Sequence, residues 1–206
     1  MIKRAFFSLI AHVKSLKSGS RIGRRCVIHP SAVLERRGGS ISIGDKCEIH
    51  RGAQLLAYGG SIEIGDDCSI NPGCILYGHG GLKIGSHVRI AAHVIIVPSN
   101  HVFADPGRLI RDQGETRRGI KIADDVWLGA RATILDGVEI AKGCVIGAGS
   151  VLTTSTEPYG IYAGVPAKRI RSRGNDPSPA DTHGETAVKA SGFPPDRPPA
   201  GHGSAS

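Results

Sequence analysis

The chain has 206 residues, enough for one substantial domain or two small ones, with 29 glycines, 4% aromatics and a formal net charge of +8. So few large rings exclude a globular core built on Phe and Trp, and no apolar run approaches the roughly 18 residues that cross a bilayer. The positive charge comes without the aromatic platform that single-stranded nucleic acid would ask for, so no nucleic-acid partner is expected.

Residues 1–20 read as an amphipathic basic helix. Ile2, Phe6, Leu9, Ile10, Val13 and Leu16 stand at helical spacing, and Lys3, Arg4, Lys14 and Lys17 supply cations. Such a helix either lies in a membrane interface through residues 1–17 or packs on the first coil of the domain after it. The apolar stretch Ala5–Ala11 is short for a signal peptide, contains Ser8 and lacks a convincing cleavage site.

From Ile22 to Ile170 the chain repeats a six-residue phrase: an apolar residue, a small one, two polar residues, a small apolar residue, and one more. Ile64-Gly65-Asp66-Asp67-Cys68-Ser69 and Ile146-Gly147-Ala148-Gly149-Ser150-Val151 are clean copies. The period predicts a solenoid, in which identical coils bury together what no single repeat could bury alone. Its anchors Ile22, Ile43, Ile64 and Ile84 stand 21, 21 and 20 residues apart, and Ile122 and Ile140 stand 18 apart. Three hexads make one coil, so each coil has three short faces. The longer coils carry extra residues at one repeated corner, Gly38-Gly39-Ser40, Gly59-Gly60-Ser61 and Gly80-Gly81, where a sharp bend favours glycine.

Between Ile84 and Ile122 the gap is 38 residues, one coil plus an insertion. It predicts a protruding loop over residues 101–119, starting at the break Asn100-His101. A loop thrown out of a regular solenoid adds no core, which marks it as functional. The five cysteines, Cys26, Cys47, Cys68, Cys74 and Cys144, all occupy the fifth position of their hexads. That slot takes a small inward side chain, so they read as core packing. Their odd number and the absence of a CxxC pair argue against disulfides and for a reducing cytosol. His29 and His50, at equivalent places in successive coils, read as structural or as a subunit contact. After Ile170 the pattern stops, and residues 174–206, with six of the twelve prolines, read as a disordered tail.

The 18-residue coils, the loop after one Asn-His and the closing Tyr162-Ala163-Gly164-Val165-Pro166-Ala167-Lys168-Arg169-Ile170 together resemble the hexapeptide-repeat acyltransferases. The branch is that of sugar and maltose/galactoside O-acetyltransferases, including those of exopolysaccharide biosynthesis. For residues 21–173 the resemblance implies a left-handed parallel β-helix, against the usual right-handed rule for β crossovers. The expected fold class is therefore all-β, with a short N-terminal helix and a disordered tail. The resemblance also implies a homotrimer with active sites between subunits, acetyl-CoA as acyl donor, and no metal. Spacing alone gives only a three-sided solenoid.

His101 occupies the place of the family's catalytic histidine. Independently of that match, acyl transfer from a thioester to a hydroxyl needs a base, and imidazole with a pKa near ~6.5 suits neutral pH. Asn71, where relatives contact the acceptor, could orient a sugar hydroxyl or simply hold a corner. His79, one coil below the loop, joins Asn100 and Asp105 as a candidate acceptor residue, and Asp105 is also a candidate to orient the His101 ring. For the cofactor, the resemblance assigns Trp127 beside the thioester end. It gives Gly129, Ala130, Ala148 and Gly149 to the pantetheine arm, and Lys168 and Arg171 to the phosphates, which charge-assisted contacts favour. Thr153-Thr154 stands where relatives often have Thr-Lys, a departure that removes one phosphate contact.

These residues point to O-acetylation of a saccharide hydroxyl in surface polysaccharide or glycolipid synthesis. The acceptor is free or lipid-linked, and the location cytoplasmic or peripheral to the inner membrane. Two alternatives stay open: N-acetylation of an amino sugar, and a trimeric hydratase resembling the gamma carbonic anhydrases, with His87, His93 and His101 as zinc ligands.

Overall fold

The computed structural model describes residues 19–174. The expected N-terminal helix and Pro-rich tail therefore fall, but for their innermost residues, outside what is described. Each hexad lays down a strand of two to four residues, and equivalent strands pair in parallel from coil to coil. Six coils result, with three sheets as their faces. The first face runs from Arg21–Ile22 through Ser40–Ile43, Ser61–Ile64, Leu82–Ile84 and Ile120–Ile122 to Glu139–Ile140. The second runs from Val27–Ile28 to Val145–Ile146 and continues into Gly160–Gly164, with Ala167–Ser172 folding back antiparallel on it. The third runs from Val33–Glu35 to Val151–Leu152.

The alternation within each two-residue strand explains the core. In the second face Ile28, Ile49, Ile70, Ile90, Leu128 and Ile146 stand in register and are at most 1% exposed, while the residue before each points outward. β-Branched side chains stack well on such a pleated surface, each coil covering the apolar face of the next.

Corners hold the coils at a close spacing. Between the first and second faces a side-chain ladder interleaves with the backbone ladder: Arg24, Asp45, Asp66 and Ser86 donate their amides to the side chains of Asp45, Asp66, Ser86 and Asp124 at 2.7, 2.7, 3.0 and 2.7 Å. Short polar side chains satisfy backbone groups that the bend would orphan. Glycine precedes them because there is no room: a Cβ on Gly65 would lie 2.7 Å from the Gly85 carbonyl.

All five cysteines are buried and unpaired. The thiols of Cys26, Cys47 and Cys68 donate to the carbonyls of Gly44, Gly65 and Gly85, each at 3.1 Å. Those of Cys74 and Cys144 reach Ala91 and Glu157 at 3.0 Å. The fifth position thus packs the core and also bonds the next coil through a weak S–H donor. Burial pushes the Cys74 thiol above its ordinary range. Native chain mixed with a thiol-specific chromogen should therefore release no colour until denaturant is added, and then about five equivalents.

The loop leaves at the corner between the third and first faces. Asn100–His101 pairs antiparallel with Glu115–Thr116, a 3-10 turn covers Ile110–Asp112, and the solenoid resumes when Ile120–Ile122 pairs with Leu82–Ile84.

Candidate active site

His101 stands at the rim of a cleft of about 300 Å³, lined among others by Asn100, Phe103, Thr116, Arg118 and Asp136. Its side chain is 62% exposed, and Nδ1 lies 3.9 Å from Glu115 Oε1, the residue opposite it in the hairpin. Glu115 also pairs with Arg117 at 3.1 Å. The carboxylate therefore stands behind the ring on its Nδ1 side, an arrangement that leaves Nε2 for an incoming hydroxyl. Asp136, from the next coil, bolts the loop down. Its carboxylate accepts from the Thr116 hydroxyl at 2.9 Å and from the amides of Arg118 and Gly119 at 3.0 Å.

Neither Glu115 nor Asp136 was legible in the sequence. Glu115 stands fourteen positions after His101, and only the hairpin register joins them. Asp105, the acid close in sequence, bonds elsewhere: its carboxylate accepts from the Gly107 amide at 2.9 Å, and its backbone exchanges bonds with the Gln113 side chain at 3.0 and 2.8 Å. It shapes the loop. Replacing Glu115 with Gln should lower kcat about tenfold with KM for the acyl donor unchanged, because the change touches only how the ring is held; steady-state kinetics check this.

The other expected residues gather along a different edge, the corner between the second and third faces. The register places Asn71, Ala91, Gly129, Gly147 and Ala163 in one column, each following its stacked core residue, and Ala163 pairs with Lys168 on the returning strand. Ala130, Ala148 and Gly149 lie on this corner, and Gly149 donates to the Ala130 carbonyl at 2.8 Å. Small residues leaving backbone open, with Lys168 at the top, could take the amide arm and a phosphate of coenzyme A, whereas Arg171 pairs with Ile161 at the other end of the returning strand, in the column of Trp127 and Val145. Gly129 has a packing reason as well: a Cβ there would lie 2.5 Å from the Ala148 nitrogen. Asn71, at the foot of the column, donates its amide to the Ile90 carbonyl at 2.8 Å, so this donor serves the corner. Trp127 projects from the second face, 54% exposed, between Arg89 and Val145.

The third face therefore separates the two groups. His101, Asn100 and His79 belong to one of its edges; Asn71 and the small-residue column belong to the other. A single chain does not bring them together. Of the histidines weighed as metal ligands, His87 pairs with Asp67 at 3.0 Å at the first corner of the coil, His93 sits at the second beside Gly73, and His101 leaves from the third. Among the described residues no three candidate ligands gather within one chain, and no described helix is long and apolar enough to cross a membrane.

Residues 119–154 match the family of the bacterial transferase hexapeptide (six repeats). The described chain is a solenoid of six-residue repeats, and over residues 119–154 those repeats are similar to that family's. Over 55 residues this solenoid is 46% identical to a chloramphenicol acetyltransferase of Klebsiella aerogenes, covering 27% of the chain and 26% of that protein. Matches to curated relatives of this kind span between 26% and 40% of those proteins' lengths. Solved structures extend the likeness. A variant of AntD, an N-acyltransferase from Bacillus cereus in complex with dTDP and coenzyme A, superposes with a TM-score of 0.69 at 25% identity, covering 80% of this chain and 89% of that one. A galactoside acetyltransferase in complex with coenzyme A superposes with a TM-score of 0.55 at 25% identity, covering 74% and 64%.

Proposed function

We propose that this solenoid is an acetyl-CoA-dependent O-acetyltransferase acting on a saccharide hydroxyl, by direct attack of the acceptor on the thioester. The observation that carries it is His101: an exposed imidazole at the rim of a cleft, backed by a carboxylate, on the only long insertion in the described solenoid. Coenzyme A in both solved relatives supports the donor.

In this reading His101 Nε2 takes the hydroxyl proton as the acceptor oxygen bonds to the thioester carbonyl. Backbone amides of a coil stabilise the oxyanion of the tetrahedral intermediate. The imidazolium returns the proton to the departing sulfur, so no serine or cysteine nucleophile is needed. Acetyl-CoA supplies the acetyl group and departs as the free thiol. Trp127 screens the thioester from water, the small-residue corner takes the pantetheine arm, and Lys168 and Arg171 meet the phosphates. Asn71, His79 and Asn100 contact the acceptor.

Because His101 and the small-residue corner lie on opposite edges of the third face, the reading requires a second copy to complete each site. A homotrimer supplies it by cyclic symmetry, one copy giving the loop and its neighbour the corner. The left-handed winding expected of the coils rests on the same family likeness. The seven cations of residues 1–25 support work near an anionic membrane, in surface polysaccharide or glycolipid synthesis.

The likeness to an N-acyltransferase favours one second reading, acetylation of an amino sugar, which the same base and corner would serve. The test is acceptor-dependent thiol release from acetyl-CoA across neutral sugars, amino sugars, nucleotide sugars and chloramphenicol. Release with hydroxyl acceptors alone upholds O-acetylation. Release only with amino sugars replaces it with N-acetylation, and release with chloramphenicol alone removes the saccharide.

A further inference from the structure

Directly below the His101 loop, on the same corner of the solenoid, three rings meet. Tyr58 and Tyr77 lie 6.0 Å apart between centroids, Tyr58 and His79 5.1 Å, and Tyr77 and His79 5.5 Å. The Arg37 guanidinium sits 4.7 Å from the Tyr58 centroid and pairs with Glu35. Register stacks Glu35, Leu56 and Tyr77 in successive coils, which sets Arg37, Tyr58 and His79 one above another two residues further on. Glycines keep this strip tight against the loop: a Cβ on Gly80 would lie 3.1 Å from Arg117 Cα and against the Pro98 carbonyl.

Core packing does not account for the cluster. The chain holds only four tyrosines, and two of them stand here half-exposed. The same corner carries no ring in the later coils, where it reads Leu135-Asp136-Gly137 and Thr153-Thr154-Ser155. His79 Nδ1 is shut off from solvent without a hydrogen-bond partner among the described residues, a state that a turn of the ring toward a ligand hydroxyl would relieve.

We infer that Tyr58, Tyr77 and His79, rimmed by Glu35 and Arg37, form a subsite that seats a second sugar ring of the acceptor. The inference rests on the saccharide reading above and narrows it to acceptors of two or more rings. A pyranose offers an apolar C–H face to the tyrosines and hydroxyls at its edge. Around that edge Glu35 accepts, Arg37 donates, and His79, once its ring turns outward, takes whichever role its tautomer allows. The pairing of Arg37 with Glu35 leaves the rim close to neutral, which suits hydroxyls better than phosphate. Tyr58 belongs two coils below the coil that carries His101, about 10 Å along the solenoid, beyond the reach of one pyranose held at the imidazole.

The test separates binding from chemistry by using the full chain with His101→Ala. Glucose, galactose, mannose and N-acetylglucosamine, each as monomer, dimer and tetramer, are titrated against it by calorimetry and saturation-transfer NMR. At least one series should bind about tenfold more tightly as dimer or tetramer than as monomer. Tyr58→Ala should erase that advantage, and Tyr58→Phe, which keeps the ring, should retain it. Equal affinity at every length, no binding by any oligomer, or an advantage that survives Tyr58→Ala would overturn the subsite. So would a change of sedimentation coefficient in Tyr58→Ala, which would make the strip a contact between copies. Length-dependent binding together with no acetyl transfer in the wild type would instead sink the enzymatic reading and leave the subsite standing.

Discussion

His101→Ala should reduce acceptor-dependent thiol release by about a hundredfold to ten-thousandfold, the span that a positioned general base contributes. The loss should fall on kcat, with the donor's KM within about threefold of wild type, because in the proposed mechanism the imidazole acts only on the proton in flight and the donor is held by the small-residue corner. The variant should also melt as the wild type does. His101 is exposed on a loop outside the stacked core, and its loss opens no cavity. A fall below about tenfold with an unchanged melt would remove His101 from the chemistry.

Two inactive variants, mixed and allowed to exchange subunits, should recover about a quarter of wild-type activity if each site joins two copies of a cyclic trimer. The pair is His101→Ala, which loses the base, and Ala148→Trp, which fills the small-residue corner at the other edge. In a random mixture one site in four receives its loop from a chain with an intact His101 and its corner from a chain with an intact Ala148. Sites built within single chains would recover nothing. The physical basis is the placement of the two groups: one stands at the root of the inserted loop and the other on a coil corner, and the stacked third face between them cannot fold to bring them together. Restored thiol release in the mixture, absent from either variant alone, is the readout.

The period of six carried much of this fold into view. Identical apolar anchors at fixed spacing leave a chain few ways to bury them, so three faces, the inward cysteines and the site of the insertion emerged from local pattern alone. The Asn100-His101 break was visible for the same reason, since an irregularity shows best against a strict repeat. Partners fixed by long-range geometry were not visible. Glu115 reaches His101 through a hairpin register that no hexad encodes, and Asp136 reaches the loop base from the following coil. Asp105, nearer to His101 in sequence, serves a turn of its own loop.

What the sequence determined by itself was therefore the solenoid, its corners and the candidate base, because each depends on residues a few positions apart. The tertiary structure alone decided which edge each candidate occupies. Asn71 and Lys168 share a column with Gly129 because coils stack in register, and that stacking puts the third face between them and His101. Distance across a stacked face depends on how coils lie on one another, and a linear pattern holds no record of it.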